Sequence, residues 1–253
     1  MSKIPAIAVE GAHFNIVDRE KFLKGIDLIK ESISCKGATL WNSDNMILWN
    51  KNYSMLRDNE YLEYLDSPDT SNTAKTIIWR TYVLEFLLKK SLKLDGDVLE
   101  LGVLTGDTAY YLSHKFSSDF KGHKYYLIDL FSWKEGDAHV EIKKLLQPDL
   151  FQKVSDRFKD YNFVEVIEGD AVRVLPTLNL NSISFAHIDM NNAEPESYCL
   201  EYLTPRMSKG GCIVLDDYGW WGYSEQKVAL DLVAGKHNLD ILELPTGQGV
   251  IFF

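Results

Sequence analysis

The sequence has few cysteines and no long hydrophobic run. Its three cysteines, Cys35, Cys199 and Cys212, are widely spaced and form no Cys-x-x-Cys pair, which argues against a disulfide framework and against a structural zinc site. No apolar run approaches the ~20 residues that a membrane-spanning helix needs. The N-terminus lacks the basic start and long apolar stretch of a secretory signal. We therefore expect a soluble, cytoplasmic protein with reduced thiols and no membrane partner.

Positive charge is also scarce in this sequence. The 253 residues include 27 Lys and Arg against 37 Asp and Glu, which gives a formal net charge of −10. Proteins that bind nucleic acids obtain affinity from Lys and Arg side chains that neutralise phosphates, so this balance argues against a nucleic-acid partner. The length is compatible with one large α/β domain.

The character of the sequence changes near residue 73. Residues 1–72 are rich in Asn, Asp, Trp and Tyr and have no sustained period, so we interpret them as helices and loops that form a lid or an interface region. From Thr73 the stretch TAKTIIWRTYVLEFLLKKSLKL has apolar residues at helical spacing. This pattern predicts an amphipathic helix that leads into a second region, residues 73–253.

Seven short apolar segments follow, and most of them are separated by enough residues for a helix. They are DVLEL (97–101), KYYLIDL (124–130), FVEVIEG (163–169), SISFAHID (182–189), CIVLDD (212–217), LDILELP (239–245) and GVIFF (249–253). Such alternation is typical of a parallel sheet covered by helices on both faces. The last two segments are joined only by Thr246-Gly247-Gln248, which is too short for a crossover. The sequence therefore predicts a Rossmann-like α/β fold whose open seven-stranded sheet has five parallel strands and a C-terminal hairpin with the last strand antiparallel.

Acidic residues lie at or just past the carboxyl end of each of the first five predicted strands. They are Glu100, Asp129, Asp170, Asp189, Asp216 and Asp217. Ligands of open α/β sheets bind at this edge, in the crevice where the strand order reverses. A solvated strand end explains any one of these carboxylates, but the same placement after five successive strands is better explained by a ligand site.

The turn after the first predicted strand, LELGVLTGDT, is rich in glycine. Its Gly102-x-x-x-Gly106 spacing differs from the GxGxxG of dinucleotide-binding proteins. Asp107 also places a negative charge at a helix N-terminus, where a pyrophosphate would need unopposed amide dipoles. These features argue against a nicotinamide cofactor and favour a ligand that carries positive charge.

S-adenosylmethionine fits these acidic positions, because it has a sulfonium, an ammonium and a ribose diol. Glu100 and Asp107 can face its cationic end, although a turn acid and a helix N-cap explain them equally well. Asp129 can accept both ribose hydroxyls, and Asp170 can accept the adenine amino group. The residues predicted to bind this cofactor are Glu100, Gly102, Gly106, Asp107, Asp129, Asp170 and Asp189.

Five motifs together resemble a known family. They are ELGVLTGDT, YLIDLF, EGDA, HIDMNNAEPES and GGCIVLDDYGWWGY. Residues 75–253 are similar to class I S-adenosylmethionine-dependent methyltransferases, and most similar to the macrocin O-methyltransferase family of metal-dependent enzymes that methylate sugar hydroxyls on natural products. HID (187–189) followed by DDYG (216–219) and PTGQG (245–249) is the most specific part. The first motif departs from the usual pattern, since Leu104 replaces its middle glycine.

The resemblance implies a metal site. In that family the Asp of the fourth strand and the Asp pair of the fifth strand bind Mg²⁺, and the matching residues are Asp189, Asp216 and Asp217. Mg²⁺ or another divalent cation would also keep the two adjacent carboxylates charged, since like charges otherwise repel. The resemblance further implies that two vicinal substrate hydroxyls coordinate the metal, which lowers the pKa of the attacking hydroxyl.

One position departs from the catalytic pattern of the family. The family has a second acid two positions after its first metal ligand, proposed as the general base, whereas this chain has Asn191, whose amide cannot take a proton at neutral pH. His187, which shares a strand face with Asp189, and Glu194 or Glu196 in the following segment are the candidate replacements. Metal-assisted ionisation into water and loss of the catalytic step are the other two possibilities.

Aromatic residues follow the Asp pair. They are Tyr218, Trp220, Trp221 and Tyr223. Their rings can stack on a sugar face, or they can pack against the N-terminal segment or form an oligomer contact. Trp41 and Trp49 are candidates for a lid over the same site.

These observations predict a metal-dependent O-methyltransferase that moves a methyl group from S-adenosylmethionine to a hydroxyl of a sugar or a sugar-containing small molecule. We expect a homo-oligomer with a small-molecule acceptor. The alternatives are a nicotinamide-dependent oxidoreductase, which the glycine spacing disfavours, and a non-catalytic S-adenosylmethionine-binding protein, which only Asn191 suggests.

Overall fold

The computed structural model describes residues 16–33, 40–51, 54–132 and 146–253. Contacts divide the chain into two compact units, Met1–Tyr82 and Val83–Phe253. Among the described residues, no helix combines the length and apolar character needed to cross a membrane. Cys199 and Cys212 are buried free thiols, as predicted, whereas the prediction for Cys35 lies outside the described residues.

Helices α1 (Arg19–Ser32) and α2 (Asn59–Asp66) lie in the described part of the first unit. Each helix begins after an Asp that acts as its N-cap. Asp18 accepts a hydrogen bond from the Lys21 amide, and Asp58 accepts hydrogen bonds from the amides of the first turn of α2. These caps satisfy amides that have no partner within a helix.

The first unit also contains a β-hairpin that the sequence analysis missed. Strands β1 (Leu40–Ser43) and β2 (Met46–Trp49) pair antiparallel, and the two residues between them, Asp44 and Asn45, both have φ of 53°. A two-residue hairpin turn needs positive φ at both central positions, and Asp and Asn tolerate it. The interpretation of this region as helices and loops alone was therefore incomplete.

Asp44 connects the hairpin turn to the start of the long helix α3 (Ile78–Ser91). Its carboxylate accepts hydrogen bonds from the amides of Trp79 at 2.9 Å and Arg80 at 3.2 Å. Its own amide donates to the carbonyl of Thr76 at 3.0 Å. Desolvation raises the pKa of this buried carboxyl to about 6, because burial outweighs the hydrogen bonds that favour the charged form.

The second unit contains the predicted seven-stranded sheet. Its strands are β3 (Asp97–Leu101), β4 (Tyr125–Asp129), β5 (Val164–Glu168), β6 (Ile183–Ile188), β7 (Met207–Leu215), β8 (Leu242–Glu243) and β9 (Gly249–Phe252). They lie in the order β5-β4-β3-β6-β7-β9-β8. Strands β3 to β7 are parallel, and β9 is antiparallel to both of its neighbours, which confirms the predicted fold class. The last strand of the chain is inserted between β7 and β8.

Helices connect the strands, as the spacing of the apolar segments predicts. They are α4 (Asp107–Lys115), α5 (Leu150–Phe158), α6 (Ala171–Val174), α7 (Ala193–Leu203) and α8 (Ser224–His237). Every residue of the central strand β6 is buried, because β6 has a neighbour on each side and both faces of the sheet are covered. The strand order reverses between β3 and β6, so the crevice in which open α/β sheets bind ligands lies at the carboxyl ends of these two strands.

Candidate functional site

The loop between β3 and α4 begins at the point where the strand order reverses. Gly102 has φ of 89°, and a Cβ atom at this position would overlap the carbonyl of Asp189, so only glycine fits. Gly106 has φ of 71° and is the N-cap of α4. Leu104 also has a positive φ of 49°. That conformation suits glycine better than leucine, which is consistent with the glycine that the resembled family has there.

Asp129 at the end of β4 holds this loop in place. Its Oδ2 accepts hydrogen bonds from the amides of Val103 at 2.6 Å and Leu104 at 2.8 Å. Its Oδ1 accepts a hydrogen bond from the amide of Phe131 at 2.7 Å. One carboxylate therefore links two loops of the crevice. Because a carboxylate has about four acceptor positions, a contact between Asp129 and ribose hydroxyls stays a compatible prediction.

The carboxylate of Asp107 is engaged by groups of the protein itself. Nη1 of Arg157 donates to its Oδ1 at 2.8 Å, and the hydroxyl of Thr105 donates to its Oδ2 at 2.8 Å. The same guanidinium lies 4.5 Å from the ring centre of Tyr110. Since Arg157 offsets its charge, Asp107 stabilises the start of α4, and its contact with a cationic ligand stays a prediction.

Asp170 is the N-cap of the short helix α6. Its Oδ1 accepts a hydrogen bond from the amide of Val172 at 3.0 Å, and Nε of Arg173 lies 3.6 Å from its Oδ2. This position follows β5, which lies beside β4, so Asp170 and Asp129 occupy neighbouring strand ends. The predicted contact between Asp170 and adenine is compatible with this placement.

A row of polar side chains crosses the sheet on one face. Tyr125 on β4 donates to Oε2 of Glu100 on β3 at 2.5 Å, and this oxygen lies 3.9 Å from Nδ1 of His187 on β6. Nε2 of His187 lies 3.4 Å from Oδ1 of Asp216, which also accepts a hydrogen bond from Gln248 at 3.0 Å. Glu100 and His187 are register partners, so their side chains share a face. The row connects the predicted cofactor strands to the predicted metal ligands.

His187 is buried within this row, with 4% of its surface exposed. Burial lowers the pKa of its imidazole, but the nearby carboxylates of Asp216 and Glu100 outweigh burial and raise the pKa well above its ordinary value. Within the described residues neither ring nitrogen makes an aligned hydrogen bond, so the ring interacts with the two carboxylates mainly as a charge. A protonated imidazole has no lone pair for a proton, which argues against His187 as the base.

Three of the predicted site residues form a candidate metal site. One ligand atom each from His187, Asp189 and Asp216 lies within 4.8 Å of the other two. Asp189 and Asp216 offer carboxylate oxygens to a cation, and His187 offers a ring nitrogen. Carboxylate oxygens from neighbouring strands are ligands that Mg²⁺ accepts, so the residues present fit this ion. Asp217 is buried next to Asp216, and its role as a third ligand stays a prediction.

Asn191 lies beside this group. It has φ of 55°, and its Nδ2 donates to Oδ1 of Asp189 at 3.4 Å. The neighbouring Asn192 is the N-cap of α7, where its side chain accepts a hydrogen bond from the amide of Glu194. The position of the family's proposed base therefore holds a hydrogen-bond donor to the predicted metal ligand Asp189.

The structure distinguishes the two glutamates of α7. Glu194 is exposed, whereas Glu196 is 3% exposed and its Oε1 accepts hydrogen bonds from the Met190 amide at 3.0 Å and from Gln226 at 2.8 Å. Desolvation raises the pKa of Glu196 to about 7, with a smaller contribution from the charge of Asp217. The sequence makes both Glu194 and Glu196 candidate bases, and Glu196 is the one whose side chain is buried.

The aromatic residues after the Asp pair differ in exposure. Tyr218 is buried, donates to Asp231 at 2.5 Å and has Nζ of Lys227 3.6 Å from its ring centre, so it is not available to a substrate. Trp221 is 92% exposed. The stacking prediction is therefore wrong for Tyr218 and stays a prediction for Trp221.

The two tryptophans considered for a lid also differ. In the first unit Trp41 is 1% exposed and packs edge to face against Trp79, with ring centres 6.2 Å apart. Trp49 is about half exposed. Trp41 is therefore part of the core of the first unit.

Comparisons with known proteins find similarity to methyltransferases. Residues 99–218 match a family model described as a methyltransferase domain. The O-methyltransferase NovP has a TM-score of 0.58 and 18% identity, over 70% of this chain and 81% of that chain. The calicheamicin methyltransferase CalS11 has a TM-score of 0.58 and 15% identity, over 77% of this chain and 90% of that chain.

A third solved structure covers nearly the whole chain. SAH-bound PaMTH1, a methyltransferase of Podospora anserina, has a TM-score of 0.51 and 16% identity, over 96% of this chain and 99% of that chain. At such identities these likenesses show a shared fold. Comparison with the curated proteins finds no significant match.

Proposed function

We propose that this chain, a class I S-adenosylmethionine-dependent methyltransferase, moves a methyl group to a hydroxyl of a sugar or a sugar-containing small molecule with the help of a divalent cation. The observation that carries the proposal is the grouping of Asp189, Asp216 and His187 at the same edge of the sheet as the loop Gly102–Gly106. This grouping supports a proposed donor site and a proposed cation site that would be adjacent, as O-methylation assisted by a metal requires.

The methyl donor would lie over the carboxyl ends of β3 and β4, beside the crevice between β3 and β6. The loop Gly102–Gly106 lies close to the carbonyl of Asp189 because Gly102 has no side chain. Asp129 holds the loop amides of Val103 and Leu104 in place. We propose that Asp129 also meets the ribose hydroxyls. Glu100 is buried at the same strand end and supplies negative charge toward a cationic ligand, although the ring of His187 partly offsets that charge.

The cation would be held by Asp189, Asp216 and Asp217. When bound, such an ion lowers the pKa of a coordinated hydroxyl and orients it toward the methyl group. The charge of His187 and the amide of Asn191 lie next to these carboxylates and fix their positions. This arrangement supports a hard cation such as Mg²⁺, because the donors on offer are carboxylate oxygens.

The acceptor class is supported by fold neighbours and by one exposed ring. CalS11 is described as a TDP-rhamnose 3'-O-methyltransferase in a structure with a TM-score of 0.53 and 17% identity to this chain. The exposed Trp221 follows the Asp pair after a turn in which the amide of Trp220 donates to the carbonyl of Asp217. An indole ring at this place suits the apolar face of a sugar.

The attacking hydroxyl must also lose its proton. We propose Glu196 as the proton acceptor in place of Glu194, because its pKa is about 7 and because the charge of Asp217, one of the proposed cation ligands, contributes to that pKa. A general base works best when its pKa lies near the working pH. The amide of Asn191 and the protonated ring of His187 do not meet this requirement.

Turnover with a nucleotide-activated deoxysugar tests the proposal. Purified protein is incubated with S-adenosylmethionine, Mg²⁺ and such acceptors, and S-adenosylhomocysteine and methylated sugar are measured by mass spectrometry. We expect both products in equal amounts and their loss on chelation of the metal. Tight binding of S-adenosylmethionine without any product, over a broad screen of sugar acceptors, would show that the chain binds the cofactor without catalysing this reaction.

A further inference from the structure

The turn Thr246–Gln248 places a fully buried glutamine beside the candidate cation ligands. The side chain of Gln248 is 0% exposed, and its Nε2 donates to Oδ1 of Asp216 at 3.0 Å. This contact follows from the sheet, because Leu215 and Gly249 are register partners of β7 and β9. Gln248 precedes Gly249 and Asp216 follows Leu215, so the antiparallel pairing brings the two side chains together.

The amide of Gln248 is held in one orientation. The hydroxyl of Thr246 donates to its Oε1 at 3.1 Å, which leaves the nitrogen on the side of the Asp216 carboxylate. The opposite orientation would place the amide oxygen against the carboxylate of Asp216 and would lose the hydrogen bond to it. The orientation is therefore assigned by the hydrogen-bond network.

The turn is also fixed against the loop that carries Asp216. The amide of Gly219 donates to the carbonyl of Gly247 at 2.6 Å, and Gly247 has φ of 90°, which favours glycine. A Cβ atom at Gly249 would lie 2.8 Å from the ring of Tyr218, so the two segments pack without space between them. The hydrogen bond from Gln248 thus comes from a rigid support.

We propose that Gln248 is a positioning residue, which fixes the plane of the Asp216 carboxylate so that this group meets the divalent cation in the correct orientation. The inference rests on the proposed function and gives a role to the PTGQG motif, to which the resemblance assigns none. Hydrogen bonds that orient ligating carboxylates change metal affinity about 10–100-fold when they are removed.

Mn²⁺ affinity, measured by electron paramagnetic resonance on the full chain, tests this role. We expect Gln248→Ala to lower the affinity about 10–100-fold. Gln248→Met keeps about the size of the side chain but removes the donor without adding a charge, so we expect a loss of similar size. The matched control is Gln226→Ala, which also deletes a buried glutamine that donates to a carboxylate, that of Glu196. Gln226→Ala should lower the melting temperature by a similar amount with wild-type Mn²⁺ affinity.

Three results would overturn the inference. Wild-type Mn²⁺ affinity in a folded Gln248→Ala variant, or equal losses of affinity in Gln248→Ala and Gln226→Ala, would show that Gln248 has only a structural role. Binding of S-adenosylmethionine to the same samples is measured separately by calorimetry. If the wild-type chain binds the methyl donor but no Mn²⁺, both the cation site and the role of Gln248 are rejected, whereas methyl transfer itself is not.

Discussion

Nε2 of His187 lies 3.4 Å from Oδ1 of Asp216, across the pair of strands β6 and β7. This contact joins two motifs, HID and DDYG, that are separate in the sequence. The carboxylates of Asp216 and Glu100 raise the pKa of the His187 imidazole well above its ordinary value. His187 therefore interacts directly with the candidate cation site.

The first prediction concerns Asp44, which caps α3 from the hairpin turn. Its pKa is about 6 in the folded protein and 3.8 in an unconstrained chain, so the folded state binds more protons between these values. Stability should therefore fall as the pH rises from about 4 through 6, by on the order of 3 kcal/mol for this group. Asp44→Asn removes the titrating group, so the stability difference between wild type and variant should follow this pH dependence. Denaturant unfolding from pH 4 to 7.5 measures it, and a difference independent of pH would contradict it.

The second prediction concerns Gly102. In Gly102→Ala the new methyl group clashes with the Asp189 carbonyl. We therefore expect the free energy of unfolding to fall by about 2–4 kcal/mol and the methyl donor to bind more weakly. Gly122→Ala is the matched control, because Gly122 has nearly the same φ of 87° but no atom within 4 Å of the added Cβ. The free energy of unfolding of the control should fall by about 1 kcal/mol, which is the cost of positive φ in a residue that has a Cβ atom. Equal losses in the two variants would show that no close approach occurs at Gly102.

The third prediction concerns Trp221. If its exposed ring stacks on the acceptor, Trp221→Ala should raise the acceptor KM about 5–30-fold with little change in the melting temperature, since the lost contact is of order 1–2 kcal/mol. Steady-state kinetics and size-exclusion chromatography check it together. An unchanged KM with a smaller particle would instead assign Trp221 to a contact between copies of the chain.

The fourth prediction concerns Glu196 as the proton acceptor. Below its pKa of about 7 the carboxyl is protonated and cannot take a proton, so wild-type kcat should fall as the pH decreases through 7. Glu196→Gln keeps an oxygen that can accept the hydrogen bonds from the Met190 amide and Gln226. Its amide cannot take a proton, so kcat should fall about 10²–10⁴-fold. The Glu194→Gln variant decides between the two glutamates, because a comparable loss there, with activity retained in Glu196→Gln, would reverse the assignment.

The fold of the second unit was predictable because its signals are local. Each buried strand is a short apolar run, and the length of each connection determines whether the next strand can be parallel. The insertion of β9 between β7 and β8 was not predictable, since pairing between distant segments leaves no local pattern. In the first unit, the residue pair Asp44-Asn45 between two apolar-containing segments was an available hairpin signal that the sequence analysis did not use.

The candidate site was predictable only in part. The positions of the carboxylates at the strand ends follow from the predicted strands. The structure brings Asp189 and Asp216 together as expected. The pairing of Asp107 with Arg157 and of Asp216 with Gln248 depends on tertiary packing and was missed. The burial of Glu196 had a sequence signal, because Cys199, Leu200 and Leu203 follow it at helical spacing and form the buried face of α7.

Ligand-induced thermal stabilisation tests the central claim most directly. The melting temperature is measured with S-adenosylmethionine, with Mg²⁺, with both and with NADH, for the wild type and for Asp216→Asn. The account predicts a shift with S-adenosylmethionine in both proteins, a separate shift with Mg²⁺ only in the wild type, and no shift with NADH. A shift with NADH and none with S-adenosylmethionine would contradict it.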